Sequence, residues 1–224
     1  MFPIRDHSSF NKFPLLTLLL IALNVFIFII EITQEKIIAF IYLYAWIPKL
    51  IDFSNYKSLF PILSSMFLHG GWLHIIFNMW FLWIFGNNLE ALLGKINYLL
   101  FYLLSGLAAV LLQYFADPNS TIPILGASGA IAGVLGGYLV LFPHARIETL
   151  IIFIGKRRLT KINVPAQFML FYWFVTQLFT NVGNVVTGLQ TQGGVAFFTQ
   201  IGGFAAGWIM AQGIKPRLSS YRND

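Results

Sequence analysis

The sequence has little charge and no cysteine. Only 10% of its 224 residues are Asp, Glu, Lys or Arg, and 58% are hydrophobic; a typical soluble domain carries about 25% charged residues. The mean hydropathy is +0.75. This composition excludes a soluble domain and is typical of a polytopic helical membrane protein. The absence of cysteine excludes disulfides and thiolate-bound metals.

Six apolar runs predict an all-α, polytopic membrane protein in which residues 1–224 form a single membrane domain. The predicted spans are 13–30, 63–85, 96–115, 125–143, 164–180 and 195–214. A cleavable signal peptide is the alternative for the first run, but its polar end offers no small-residue cleavage site. We therefore expect an uncleaved first helix.

The segments between the spans suggest where each lies. Residues 1–12 form a short polar leader, and 146–161 form a basic loop. Residues 31–58 are expected to form an outer interfacial loop with short helices in or on the leaflet. Its Tyr42 and Trp46 are side chains that favour the membrane–water interface.

The basic residues predict the orientation in the membrane. With the N-terminus inside, eleven of the 14 lysines and arginines fall on the inner side and three in the first outer loop. This positive-inside bias predicts that both termini are cytoplasmic. It also explains the net charge of +6 without a nucleic-acid partner.

Ser128 begins a glycine-rich run in the fourth predicted span, within Gly126-Ala127-Ser128-Gly129. Small residues three or four apart allow helices to pack closely in lipid, so Ser128 could serve packing alone. The second span carries His74 and Asn78, four residues apart and therefore on one helix face. These two could bond to neighbouring helices, or they could act as donors to a developing negative charge.

Four stretches together resemble the rhomboid family of intramembrane serine proteases. They are Phe67–His74 with Asn78, Phe85–Glu90, Gly126–Ala130 with Gly133, and Gly202–Phe204 with Gly207. The resemblance covers about residues 60–214 and implies a bundle of six transmembrane helices. Each motif alone is modest, and their order makes the resemblance specific.

The resemblance implies a catalytic site without cofactor or metal. Ser128 would be the nucleophile, activated by a histidine on the sixth helix. His74 and Asn78, with the backbone N–H of Ser128, would form the oxyanion hole. Substrates would be single-span membrane proteins in the lipid bilayer, entering beside the fifth helix and under residues 181–194.

The position of the base departs from the family pattern, because Gln200 stands where the histidine is expected. A carboxamide does not titrate near neutral pH and cannot take a proton from Ser128. The four histidines are His7, His69, His74 and His144, so none follows residue 144. His74 could replace the base only by leaving its expected place.

The sequence therefore predicts a serine endopeptidase scaffold with severely impaired activity. The alternative is a pseudoprotease that binds transmembrane segments without cleaving them. A channel or transporter has less support, because the spans lack the buried ionisable residues that usually mark ion paths. We expect a bacterial inner membrane as the location.

Overall fold

The computed structural model describes residues 2–6, 12–153, 158–175 and 196–220. Most of them are helical. The α-helices are α1 (Leu15–Ile32), α2 (Ile37–Tyr44), α3 (Phe60–Ser64), α4 (Trp72–Phe81), α5 (Asn87–Leu93), α6 (Lys95–Ala116), α7 (Ser128–Leu141), α8 (Ala166–Val175) and α9 (Ala196–Ser220). Three 3-10 turns lie at Pro48–Leu50, Tyr56–Leu59 and Ser65–Phe67, and a π-helical turn, Leu82–Gly86, joins α4 to α5.

The predicted count of six spans is not confirmed. Among the described residues, α1 and α6 are long and apolar enough to cross a membrane. The segments Tyr56–Phe67 and Trp72–Leu93 would make a third span if they count as one, although the chain bends by 79° between them. With 14 residues, α7 is only about 21 Å long, shorter than a bilayer core of about 30 Å.

The expectation of a wholly helical chain is incomplete, because the leader and the basic loop form a three-stranded antiparallel sheet. Its strands are β1 (Phe2–Asp6), β2 (Arg146–Phe153) and β3 (Arg158–Pro165), in the order β1-β2-β3. Along β2, Ile147 and Thr149 are buried while Arg146 is exposed. This two-residue alternation is the signature of a half-buried strand, and the sequence interpretation missed it.

Residues 31–58, expected to form an outer loop, contain short helices, but one of their aromatic residues is buried. Trp46 is fully buried and packs with Val110 and Ile124. Its backbone exchanges two hydrogen bonds with Ile124, at 3.0 and 2.7 Å. Trp46 therefore connects this loop to the segment before α7. Tyr42, in contrast, is 52% exposed.

A buried carboxylate fixes the beginning of α1. Glu90 on α5 accepts hydrogen bonds from the backbone N–H groups of Leu16 and Thr17, at 2.9 and 2.7 Å, and from the Thr17 hydroxyl at 2.8 Å. The first N–H groups of a helix have no partner within it, and negative charge is favourable there. Glu90 thus caps α1 and ties it to α5.

Glycines bring α7 and α9 into backbone contact. A methyl group added to Gly203 would overlap the carbonyl oxygen of Gly129, and one added to Gly207 would overlap that of Gly133. Because the residue numbers rise together along both helices, α7 and α9 run parallel. Their N-termini therefore lie at the same end of the bundle.

The packing of α7 on α9 predicts that Gly207→Ala destabilises the bundle. The added methyl group must push the helices apart, and overpacking of this kind costs about 1–3 kcal/mol. Gly213→Ala is the matched control on the same helix, since nothing lies within 4 Å of its added methyl group. Thermal unfolding in detergent should show a lower midpoint for Gly207→Ala and an unchanged or higher one for Gly213→Ala. Equal midpoints would contradict the close contact.

Candidate active site

Ser128 is the first residue of α7 and is half-buried. The turn before it contains Gly126, whose φ of +121° is strained for any residue with a side chain. The N–H of Gly126 donates to the carbonyl oxygen of Ser65 at 2.8 Å. This bond fixes the turn against the 3-10 turn Ser65–Phe67. The N–H of Ser128 belongs to the first turn of α7, where N–H groups have no helical acceptor.

The side chains of His74 and Asn78 lie beside this turn. Both lie on α4. A methyl group placed on Gly126 would lie 2.7 Å from both Cε1 and Nε2 of His74 and 3.7 Å from Nδ2 of Asn78. The imidazole and the carboxamide therefore cover the backbone two residues before Ser128, with room for glycine only.

Gln200 lies at the corresponding end of α9. It is the fifth residue of that helix and is 6% exposed. The carbonyl oxygen of its neighbour Thr199 is 3.6 Å from where a methyl group on Gly129 would be. Because Gly129 follows Ser128 directly, the structure brings the Gln200 turn and the Ser128 turn together.

Several buried polar atoms near these turns have no hydrogen-bond partner among the described residues. Among them are Nδ2 of Asn78 and Oε1 of Gln200. Buried polar groups in proteins are normally paired with protein atoms or ordered water. These atoms therefore mark a polar region beside the two turns.

The histidines that the structure describes do not supply an evident substitute base. His144 is exposed and follows the C-terminal end of α7, opposite to Ser128, as the sequence predicts. The ring of His69 is buried and lies edge-on to the ring of His74, with 5.1 Å between ring centroids. His74 itself contacts the Gly126 turn.

Sequence reasoning overlooked two residues beside the site. His69 is 1% exposed, and its ring contacts that of His74. The chain bends between His69 and α4, so helical spacing does not apply there. Glu31, also 1% exposed, accepts a hydrogen bond from the His69 N–H at 2.9 Å. A carboxylate directly after the apolar run 13–30 was the available signal.

Two further expectations concern cations and substrate entry. Within the described ranges, no group of three or more His, Cys, Asp or Glu residues could hold a metal ion. The loop 181–194, expected above the entry path, lies outside the described residues. Of the expected fifth span, 164–180, the first two residues belong to β3, residues 166–175 form α8, and the rest lies outside the described residues.

The chain belongs to the rhomboid family. The family model of the Rhomboid domain matches residues 56–217, which is well over half of the chain. The resemblance drawn from the motifs is therefore confirmed. Together with its apolar helices, the family makes this a membrane protein embedded in a bilayer.

Three curated relatives illustrate the similarity. "Rhomboid protein 1, mitochondrial" of Saccharomyces cerevisiae is 40% identical over 90 residues, covering 38% of this chain and 26% of the yeast protein. "RHOMBOID-like protein 4" of Arabidopsis thaliana is 33% identical over 151 residues, covering 66% and 32%. "Rhomboid-like protein 11, chloroplastic" of the same plant is 32% identical over 88 residues, covering 39% and 31%.

The chain thus matches about a third or less of the length of each of these relatives. Their names place one in mitochondria and another in chloroplasts. The expectation of a bacterial inner membrane is therefore not supported by these relatives, and the location stands as a membrane.

The tight turn before Ser128 predicts a specific cost for Gly126→Ala. Its positive φ costs a side chain about 1–2 kcal/mol, and overlap with His74 adds about 1–3 kcal/mol. Gly94→Ala is the matched control, because its φ is +77° but nothing lies within 4 Å of its added methyl group. Thermal unfolding should show a larger decrease in the midpoint for Gly126→Ala than for Gly94→Ala.

Combining this change with His74→Ala separates the two contributions. In a double-mutant cycle, Gly126→Ala should lower the unfolding midpoint less in the His74→Ala background than in wild type. The overlap with the imidazole is then gone and only the backbone strain remains. If the decreases in midpoint caused by Gly126→Ala and His74→Ala are strictly additive, His74 does not contact this turn.

Proposed function

We propose that this chain is a rhomboid-type intramembrane serine endopeptidase scaffold that acts on single-span membrane proteins, with severely impaired proteolysis. Ser128 takes the nucleophile position, and Gln200 takes the position of the base histidine. The observation that carries the proposal is the burial of Gln200 on α9, directly after the residue that packs beside Gly129.

The chemistry of serine explains the impairment. Attack of the Ser128 hydroxyl on a peptide carbonyl requires that a base accept the hydroxyl proton. The carboxamide of Gln200 can accept a hydrogen bond but does not bind a proton near neutral pH. Loss of a general base costs about 10²–10⁴ in rate. Cleavage without a base would therefore be slow even with substrate correctly bound.

The remaining groups serve the tetrahedral intermediate. Its oxyanion would be stabilised by the backbone N–H of Ser128, the imidazole of His74 and the carboxamide of Asn78. The contacts of both side chains with Gly126 support this assignment. These hydrogen-bond donors stabilise the negative charge that develops on the carbonyl oxygen during attack. They do not replace the base that must accept the proton of Ser128.

The expected topology would place the candidate site near the outer face of the membrane. The six apolar runs predict six spans, and the positive-inside bias predicts that both termini are cytoplasmic, so that α4, α7 and α9 would all begin at the outer side. The parallel packing of α7 on α9 supports this arrangement. The resemblance to rhomboid proteases implies that the substrates are transmembrane segments of single-span proteins, which would reach the site from the bilayer near its outer face.

A pseudoprotease is the second candidate. The buried Nδ2 of Asn78 and Oε1 of Gln200, without partners among the described residues, favour it. A donor and an acceptor of this kind can bind the backbone of an unwound transmembrane segment. On this alternative the chain retains or shields such segments, and cleavage is absent.

Restoring the base tests the proposal. In proteoliposomes that contain a single-span rhomboid substrate, Gln200→His should raise the cleavage rate at least about 10²-fold over wild type. Ser128→Ala should not cleave, either alone or combined with Gln200→His. Substrate affinity should be similar in wild type and Gln200→His, since binding does not require the base.

The outcomes separate the candidates. If wild type cleaves as fast as Gln200→His and Ser128→Ala does not cleave, the proposal that the base is missing is wrong. His74 would then be the first candidate for the base. Substrate binding by both proteins without cleavage by either would favour the pseudoprotease. Failure of wild type and Gln200→His to bind any transmembrane segment would overturn both candidates.

A further inference from the structure

Glu31 is a buried acid at an unfavourable place in its helix. It is the penultimate residue of α1 and is 1% exposed. The C-terminal end of a helix carries partial negative charge, so a carboxylate there is disfavoured. Burial of an ionisable group is a further cost. Local stability therefore gives no reason for an acid at this position.

The carboxylate contacts the segment that leads into α4. Its Oε2 accepts the hydrogen bond from the backbone N–H of His69, which is 38 positions away in the chain. Leu68 to Gly71 connect the two halves of the bent pair of helices. Gly71 has a φ of +148° and open space around it, and α4 begins at the next residue. A connection of this kind can move unless another element holds it.

Aromatic contacts continue from Glu31 to the site. Phe28, one turn earlier on α1, lies edge-on to Trp72 at 5.0 Å and to His69 at 6.4 Å between ring centroids. The ring of His69 in turn contacts the ring of His74 at 5.1 Å. The last two turns of α1 therefore contact the chain from His69 into the first turn of α4, through one hydrogen bond and a series of aromatic contacts.

We propose that Glu31 is a positioning residue for His74 and acts through the backbone N–H of His69. The hydrogen bond sets where the first turn of α4 begins, and hence where the imidazole of His74 meets Gly126. The catalytic meaning of this placement rests on the proposed function, because it assumes that His74 faces the oxyanion. The placement itself does not.

The placement can be measured in the wild-type chain by NMR of ¹⁵N-histidine-labelled protein in nanodiscs. The chain has four histidines, so single His→Gln variants assign each imidazole signal. Glu31→Met keeps the approximate length but removes the acceptor, and it should shift the His74 signals. Glu31→Gln keeps an acceptor oxygen and should leave them near the wild-type values.

A buried polar residue of the same helix provides the control. Asn24 is fully buried, and its amide donates to the carbonyl oxygen of Leu20 within α1 at 2.7 Å. Asn24→Leu should leave the His74 signals in place. If Glu31→Met does not fold, Glu31→Asp decides, because its shorter side chain should also shift these signals.

Unchanged His74 signals in a folded Glu31→Met or Glu31→Asp protein would overturn the proposal. So would equal shifts in Asn24→Leu, which would indicate a general loosening of α1. In the Gln200→His background, Glu31→Met should lower kcat about 10²-fold, as misplacement by 1 Å can, with KM almost unchanged. If Gln200→His is inactive, the proposed function fails, while the NMR result still tests Glu31.

Discussion

The site depends on the close approach of α7 to its neighbours. Gly133 of α7 lies close to both α6 and α9. A methyl group added to it would overlap the side chain of Ser105 on α6 and lie 3.0 Å from the carbonyl oxygen of Gly203 on α9. In lipid, water does not drive helices together, so short backbone separations provide the attraction. Because α7 is held on both sides, Ser128 at its N-terminal end has a defined position.

The elements around α7 are placed by buried polar contacts. Glu90 caps α1, and Asp6 on β1 accepts hydrogen bonds from Asn88 and from the hydroxyl of Tyr138 on α7. Asn88 and Glu90 lie in the same short stretch after α4. This stretch connects the N-terminal strand, the first helix and the central helix. At the opposite end of α1, Glu31 accepts a hydrogen bond from the backbone N–H of His69, three residues before α4.

The sequence predicted the features that local patterns encode. The first and third spans lie within two residues of α1 and α6, and the spacing of His74 and Asn78 correctly placed both on one face of a helix. The motifs identified the family, and its match to residues 56–217 confirms it. These patterns involve residues close together in the chain or a fixed order of motifs.

Features that depend on distant contacts could not be predicted in this way. The sheet requires β1 to pair with β2 across about 140 residues of chain, and a strand of five residues carries too short a pattern to indicate its partner. Trp46 is an interfacial residue by type, yet α6 buries it. The contact of Glu31 with His69 spans 38 positions and depends on the bend before α4.

The central claim is that Ser128 lacks a base, and the most direct measurement is the reactivity of its hydroxyl. A fluorophosphonate reacts covalently with an activated serine and needs no peptide substrate. Intact-mass measurement over time should show slow labelling of wild type, fast labelling of Gln200→His, and none at this position in Ser128→Ala. Labelling of wild type as fast as Gln200→His would contradict the claim and show that another group activates Ser128.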